Sequence, residues 1–154
     1  MSVDQALLRA EDVMLDLHVT TRQGLFDVAA AHFARHWALP QATIVDRLLA
    51  RERIGSTGLG QGLAIPHARL EEATNVAALF VRPEYPISFD APDGKPVSDL
   101  LLMVVPARSP QMYLVLLSEI AQLFGDRAFR EKLRAASDPA AVAACFASLK
   151  VSSS

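Results

Sequence analysis

One cysteine, Cys145, stands in 154 residues. A disulfide framework within the chain and a multi-cysteine zinc site are excluded by that count. It fits a reducing compartment. No hydrophobic run approaches the ~20 residues of a membrane span, and Leu100 to Val105 is closed by Pro106. The first residues are mixed and charged from Asp4 onward, without the run of roughly 7–15 apolar residues of a secretory leader. An excess of either charge is also lacking: Lys plus Arg is 15 and Asp plus Glu is 17, a net charge of −2. That balance does not suit electrostatic binding of nucleic acid. The expectation is a soluble cytoplasmic protein with no nucleic-acid partner and no direct membrane insertion. Histidine is scarce too: His18, His32, His36 and His67 are the four. Any imidazole chemistry must come from them.

What is present is one domain's worth of chain, since domains run to about 100–200 residues. No internal repeat or low-complexity linker divides it. Residues 1–150 are expected to form a single domain, and 151–154, ending in three serines, a flexible tail. Leu25, Ala29, Phe33 and Trp37 recur every four residues and make one apolar helical stripe. Thr20 or Thr21 can cap its start. Pro40 separates it from a second helix, about Ala42 to Arg53, whose buried face is Val45, Leu48 and Leu49. Gly55 is a plausible stop.

Four glycines follow, at 55, 58, 60 and 62. Leu63-Ala64-Ile65 is a short extended run, because Pro66 disfavours helix at the residue before it. Asn75 to Arg82 and Asp99 to Val105 read as strands, the second apolar on both faces and therefore central. Asp93-Gly94 makes a turn. The last third is helical. Leu114, Leu117, Ile120, Ala121 and Phe124 share a face, and further helices are expected at about Asp126 to Ala135 and Pro139 to Leu149. This order predicts an α/β or α+β domain with helices flanking a mixed central sheet.

The glycine segment does not match the nucleotide-binding motifs. A P-loop needs lysine where Gln61 stands, and a dinucleotide fingerprint needs glycine where Leu63 stands. Two readings stay open: a flexible helix-to-strand connection, or a loop whose amides approach a ligand closely because glycine has no Cβ. His32 and His36 lie four apart but lack the Glu of an H-E-x-x-H site. Both read as surface or boundary residues. Cys145, among alanines, reads as a small buried hydrophobe. His67 differs. It follows the glycine loop on a chain direction set by Pro66, and a neutral imidazole is a competent nucleophile near pH 7.

The stretch from Arg51 to His67, RERIGSTGLGQGLAIPH, closely resembles the active-site signature of the fructose/mannitol-type (type-2) enzyme IIA family of the bacterial phosphotransferase system. That pattern combines an Arg-Glu pair, a Ser/Thr-containing glycine loop and an Ala-Ile/Val-Pro-His ending. Phe89-Asp90, Asp93, Pro96-Val97 and the strand closing at Pro106 resemble the family's next block. Leu15-Asp16-Leu17 and Thr21-Arg22 resemble its start, so the likeness covers about residues 5 to 149. Gly55-Ser56-Thr57-Gly58 and the stand-alone length look most like the nitrogen-regulatory branch.

The resemblance implies a phosphocarrier with a phosphohistidine. His67 would accept a phosphoryl group from an HPr-type protein. Arg51 would stabilise phosphate charge through forked donors, and Ser56 and Thr57 would contact phosphate. Regulatory target proteins would bind in one phosphorylation state and be released in the other. Neither a metal nor an organic cofactor is implied. One departure stands out. Family members that transfer phosphate usually carry a second histidine near the start of the helix after the Pro106 strand. Tyr113 occupies the corresponding position, and no histidine follows His67. A phenol can hydrogen-bond a phosphate oxygen but cannot become a cation. Two other readings follow: a binding-only regulator with impaired phosphotransfer, or a sugar-specific IIA subunit serving a separate permease.

Overall fold

The two apolar runs of the sequence become neighbouring antiparallel strands. In the computed structural model, which describes residues 3–108 and 110–153, β6 (Ala77–Pro83) pairs with β7 (Asp99–Pro106), Phe80 opposite Leu101. Every residue from Leu100 to Val105 is buried. The side chains alternate between two cores. Ala77, Leu79, Val81, Leu100, Leu102 and Val104 belong to one, and Ala78, Phe80, Leu101, Met103 and Val105 to the other. A strand buried on both faces has no polar side, which is why these stretches read as continuous apolar runs.

The first core is closed by α1 (Arg22–Trp37) and α2 (Gln41–Ile54). Thr21 caps α1, its hydroxyl accepting from the Gly24 amide at 3.0 Å. Leu25, Phe26, Ala29, Ala30 and Phe33 are sealed beneath it. Each large side chain buried this way contributes about 1.5–3 kcal/mol. On α2, Ile44 and Leu48 take the centre of the buried face, and Val45 and Leu49 lie at its margin, only partly buried.

The second core is closed by α3 (Pro110–Gly125), α4 (Arg127–Ala135) and α5 (Pro139–Cys145). The buried face of α3 is Leu116, Ile120 and Phe124. This corrects the expected stripe: Leu114 is 56% exposed, and Ala121 faces solvent as well. The 4-residue step of Leu116, Ile120 and Phe124 turns Leu114 outward together with Met112 and Val115. His32 is a further correction. It is buried, and its Nε2 lies 2.9 Å from Oδ1 of buried Asp12. That pairing satisfies an otherwise stranded ring nitrogen. His36 stays exposed beside it.

The main sheet runs β2-β6-β7-β4-β3, with β5 also on β7. β2 (Val13–Leu17) lies parallel to β6. On the other side of β7, β4 (Leu63–Ala64) pairs parallel to its start and β5 (His67–Leu70) to its end. β4 and β5 are one line of chain interrupted at Ile65-Pro66. Proline has no amide to offer a ladder, but the Pro66 carbonyl still accepts from the Met103 amide at 3.0 Å. β3 (Gly58–Gly60) folds back on β4 through a tight turn at Gln61 and Gly62, with φ of +58° and +78°. Two positive φ values are what a two-residue type I′ hairpin requires. A Cβ on Gly62 would sit 2.8 Å from the Ser98 hydroxyl, which would have to turn away and give up its bond to the Gly62 carbonyl.

Apart from the main sheet, β1 (Val3–Ala6) and β8 (Lys150–Ser153) form an antiparallel pair. Residues 151–153, expected as a tail, lie in this strand through backbone pairing that no apolar run announces. Ser154 is outside the described residues. Among the described residues, no helix is long and apolar enough to cross a membrane.

Candidate functional site

Pro66 and the β4–β5 break deliver His67 onto the edge of the α3-facing side of the sheet, opposite Met103. Its ring is partly buried, and Nδ1 lies 2.9 Å from the Ile65 carbonyl. A carbonyl can only accept, so Nδ1 carries the proton. Nε2 is therefore left with its lone pair. Burial lowers the His67 pKa below the ordinary imidazole value; the Ile65 carbonyl pulls it up, and the charge of Arg51 lowers it again. The net direction is down, toward a neutral ring.

Arg51 sits in the last turn of α2. Its Nη1 donates to the Gly55 carbonyl at 2.9 Å, closing the helix end. One of five guanidinium N–H groups is used there, which leaves donors for an anion near His67. A cation in this turn also opposes the negative end of the helix dipole.

The glycine segment is an anchored hairpin rather than a loose connection. The Ser56 hydroxyl donates to the Phe89 carbonyl and accepts from the Gly58 amide at 3.0 Å. The Thr57 hydroxyl donates to buried Glu52, and the Thr57 amide donates to the same carboxylate at 3.3 Å. Each hydroxyl has one proton, and here both protons hold the hairpin in place. A phosphate oxygen would have to displace Phe89 or Glu52 to receive either. Glu52, part of the Arg-Glu pair in the sequence motif, is thus the anchor of the hairpin.

Tyr113 is brought against His67, with ring centroids 6.3 Å apart and planes inclined at 45°. Arg69 lies over the other partner of that pair, its Cζ 5.2 Å from the Tyr113 centroid. Its Nη2 donates to the Ala107 carbonyl at 3.2 Å. Sequence reasoning did not single out Arg69. The signal available was its spacing, because residues two apart on a strand share a face. Among the described residues there is no group of three or more His, Cys, Asp or Glu side chains able to hold a metal ion.

The chain is similar to known proteins along most of its length. The family model for the phosphoenolpyruvate-dependent sugar phosphotransferase system EIIA 2 matches residues 6–148. A nitrogen regulatory protein of Escherichia coli K12 is 36% identical over 132 residues, 85% of this chain and 81% of the relative. The crystal structure of nitrogen regulatory protein IIA-Ntr from Neisseria meningitidis superposes with a TM-score of 0.86 at 38% identity, covering 91% of this chain and 96% of that one. The mannitol IIA of Escherichia coli shares the fold, with a TM-score of 0.74 at 17% identity over 91% of this chain and 99% of its own. Since the matched span takes in both helical layers, the central sheet and the hairpin that leads to His67, the chain belongs to the type-2 EIIA family of the phosphotransferase system.

Proposed function

We propose that this chain is a phosphocarrier of the nitrogen-regulatory type, with His67 accepting a phosphoryl group from an HPr-type protein. The observation that carries this reading is the bond from His67 Nδ1 to the Ile65 carbonyl. It leaves Nε2 as the nucleophile and holds the ring in one orientation. In the step proposed, Nε2 attacks the phosphorus of the donor's phosphohistidine in line. The new N–P bond forms as the donor's N–P bond breaks, and the donor imidazole keeps that electron pair. The proton of His67 stays on Nδ1, donated throughout to the Ile65 carbonyl. Such a transfer depends on positioning and charge stabilisation more than on acid–base help. Arg51 supplies the charge. Tyr113 offers one hydroxyl donor, and Ser56 and Thr57 contribute once they exchange their present partners.

Phosphorylation would add up to about two negative charges to the face around His67. That change is the proposed signal to regulatory targets in the cytoplasm. Similarity to nitrogen regulatory proteins over 85% of the chain favours regulation over sugar delivery. The position of Tyr113 against His67 favours one further reading, a regulator that binds targets but transfers phosphate poorly.

One experiment separates them. The protein is incubated with labelled phosphoenolpyruvate, enzyme I and an HPr-type donor. Acid-labile label on the wild type, absent from His67→Ala, supports the carrier. Absence of label with every HPr-type donor, while a control IIA protein is labelled, leaves the binding-only reading.

A further inference from the structure

Helix α4 carries Arg127, Arg130 and Arg134 on one face, while Phe129 and Leu133 of the same helix are buried. That basic face meets the tip of the β3–β4 hairpin. Between them lies a cleft of about 370 Å³ lined by Gln61, Arg127, Arg130, Glu131 and Arg134. The polar face of an amphipathic helix ordinarily leaves its charges free in water. Here two guanidiniums are held at the cleft. Arg130 donates through Nη1 to the Phe124 carbonyl at 2.9 Å, and Arg134 through Nη2 to the Gln61 carbonyl at 2.6 Å. Among the described residues, neither has a carboxylate partner.

Arg127 does pair with Glu131, at 3.0 Å. Three positive side chains and one negative leave the lining with two positive charges. Asp93, which also touches the hairpin tip, has its carboxylate occupied by the amides of Gln61 and Lys95. The nearby buried Asp99 is neutralised by Arg82 at 2.7 Å. Bonds to backbone carbonyls have already restricted two of the long side chains, so less freedom is lost when they bind an anion.

We propose that this cleft binds a small anion carrying two or more phosphate groups. Guanidinium forks match phosphate oxygens in pairs, and a diphosphate concentrates more charge and more acceptors in this volume than a carboxylate does. The site is separate from His67. Leu63, next to the hairpin tip, registers with Asp99, whereas His67 registers with Met103. Four residues of strand put roughly 13 Å between them.

The test is titration of the full chain with inorganic pyrophosphate at constant ionic strength, followed by calorimetry and amide NMR shifts. Binding is expected with shifts at Gln61, Gly62 and α4, unchanged in His67→Ala. Arg127→Gln, at a side chain 85% exposed and so safe for folding, weakens it by about tenfold, and Arg130→Gln with Arg134→Gln weakens it further. Wild-type affinity in all the arginine variants, or shifts centred on His67 instead, overturns the site. Citrate binding more tightly than pyrophosphate overturns the assignment to phosphate.

Discussion

The carboxylate of Glu52 holds Thr57 twice, taking both its hydroxyl and its amide at a buried point between α2 and the glycine hairpin. Removing that carboxylate leaves two buried polar groups without a partner, at about 1–3 kcal/mol each. Glu52→Ala is therefore expected to lower stability by about 3 kcal/mol. Urea unfolding should show it as a lower midpoint with an unchanged slope. Glu52→Gln keeps one carbonyl acceptor and should lose less. An alanine variant as stable as wild type would mean that the hairpin is held by something else.

The His67 ring has a pH signature with a definite sign. Its folded pKa lies below the usual 6.5, mainly through burial. The unfolded chain therefore binds the proton more readily than the fold does. The stability this group contributes is fully present above pH 6.5 and is lost as pH falls through the lower folded value. Stability should decline over that window, and His67→Gln should flatten the decline. Imidazole NMR resonances should place the His67 midpoint below 6.5, and Arg51→Gln should move it upward by removing a neighbouring positive charge.

The parts of the fold that were readable are those whose side chains announce them locally. β6 and β7 are buried on both faces, so their apolar runs stand out. Thr21 and Pro40 mark helix starts by short-range chemistry. The unreadable parts depend on distant partners. His32 looked like a boundary residue because Asp12, twenty positions away, completes it. Leu114 looked like core because a 3- and 4-residue pattern on α3 can be phased two ways, and only the sheet decides between them. β1 and β8 pair through backbone across nearly the whole chain. At the site, the glycines, Pro66 and His67 were conspicuous. Glu52 stood in the motif's Arg-Glu pair, but its hold on Thr57 was not readable, and Arg69 did not stand out, since a charged residue in a helix or on a strand edge looks the same in sequence whether solvated or engaged.

Arg82 supplies a sharper case of a charge at work inside the fold. Its Nε donates to buried Asp99 at 2.7 Å, and its two terminal nitrogens reach the carbonyls of Ala136 and Leu133 at the end of α4. Arg82→Leu would strand the Asp99 charge beside the core, at about 3–5 kcal/mol. Adding Asp99→Leu removes the stranded charge and should recover part of that loss. A double-mutant cycle by chemical denaturation measures the coupling. Arg82→Lys keeps the charge without the three-pronged geometry and should fall in between.

In the phosphocarrier reading, Tyr113 limits the rate of transfer to His67. In a phosphoryl transfer, negative charge spreads over the equatorial oxygens, and fixed donors or cations aimed there lower the barrier. Tyr113 can give one hydroxyl proton and no charge. Tyr113→His should therefore raise the initial rate of His67 labelling by about tenfold. Arg69 sets a limit on that gain, because its guanidinium lies over the Tyr113 ring. A cation in that position disfavours protonation of an imidazole placed beneath it. Combining Tyr113→His with Arg69→Gln should then give a larger gain than Tyr113→His alone, with its pH optimum shifted upward. In the wild-type background, by contrast, Arg69→Gln removes a cation near the acceptor and should slow labelling. If Arg69→Gln slows both backgrounds equally, Arg69 acts on the phosphate directly and not through the residue at position 113.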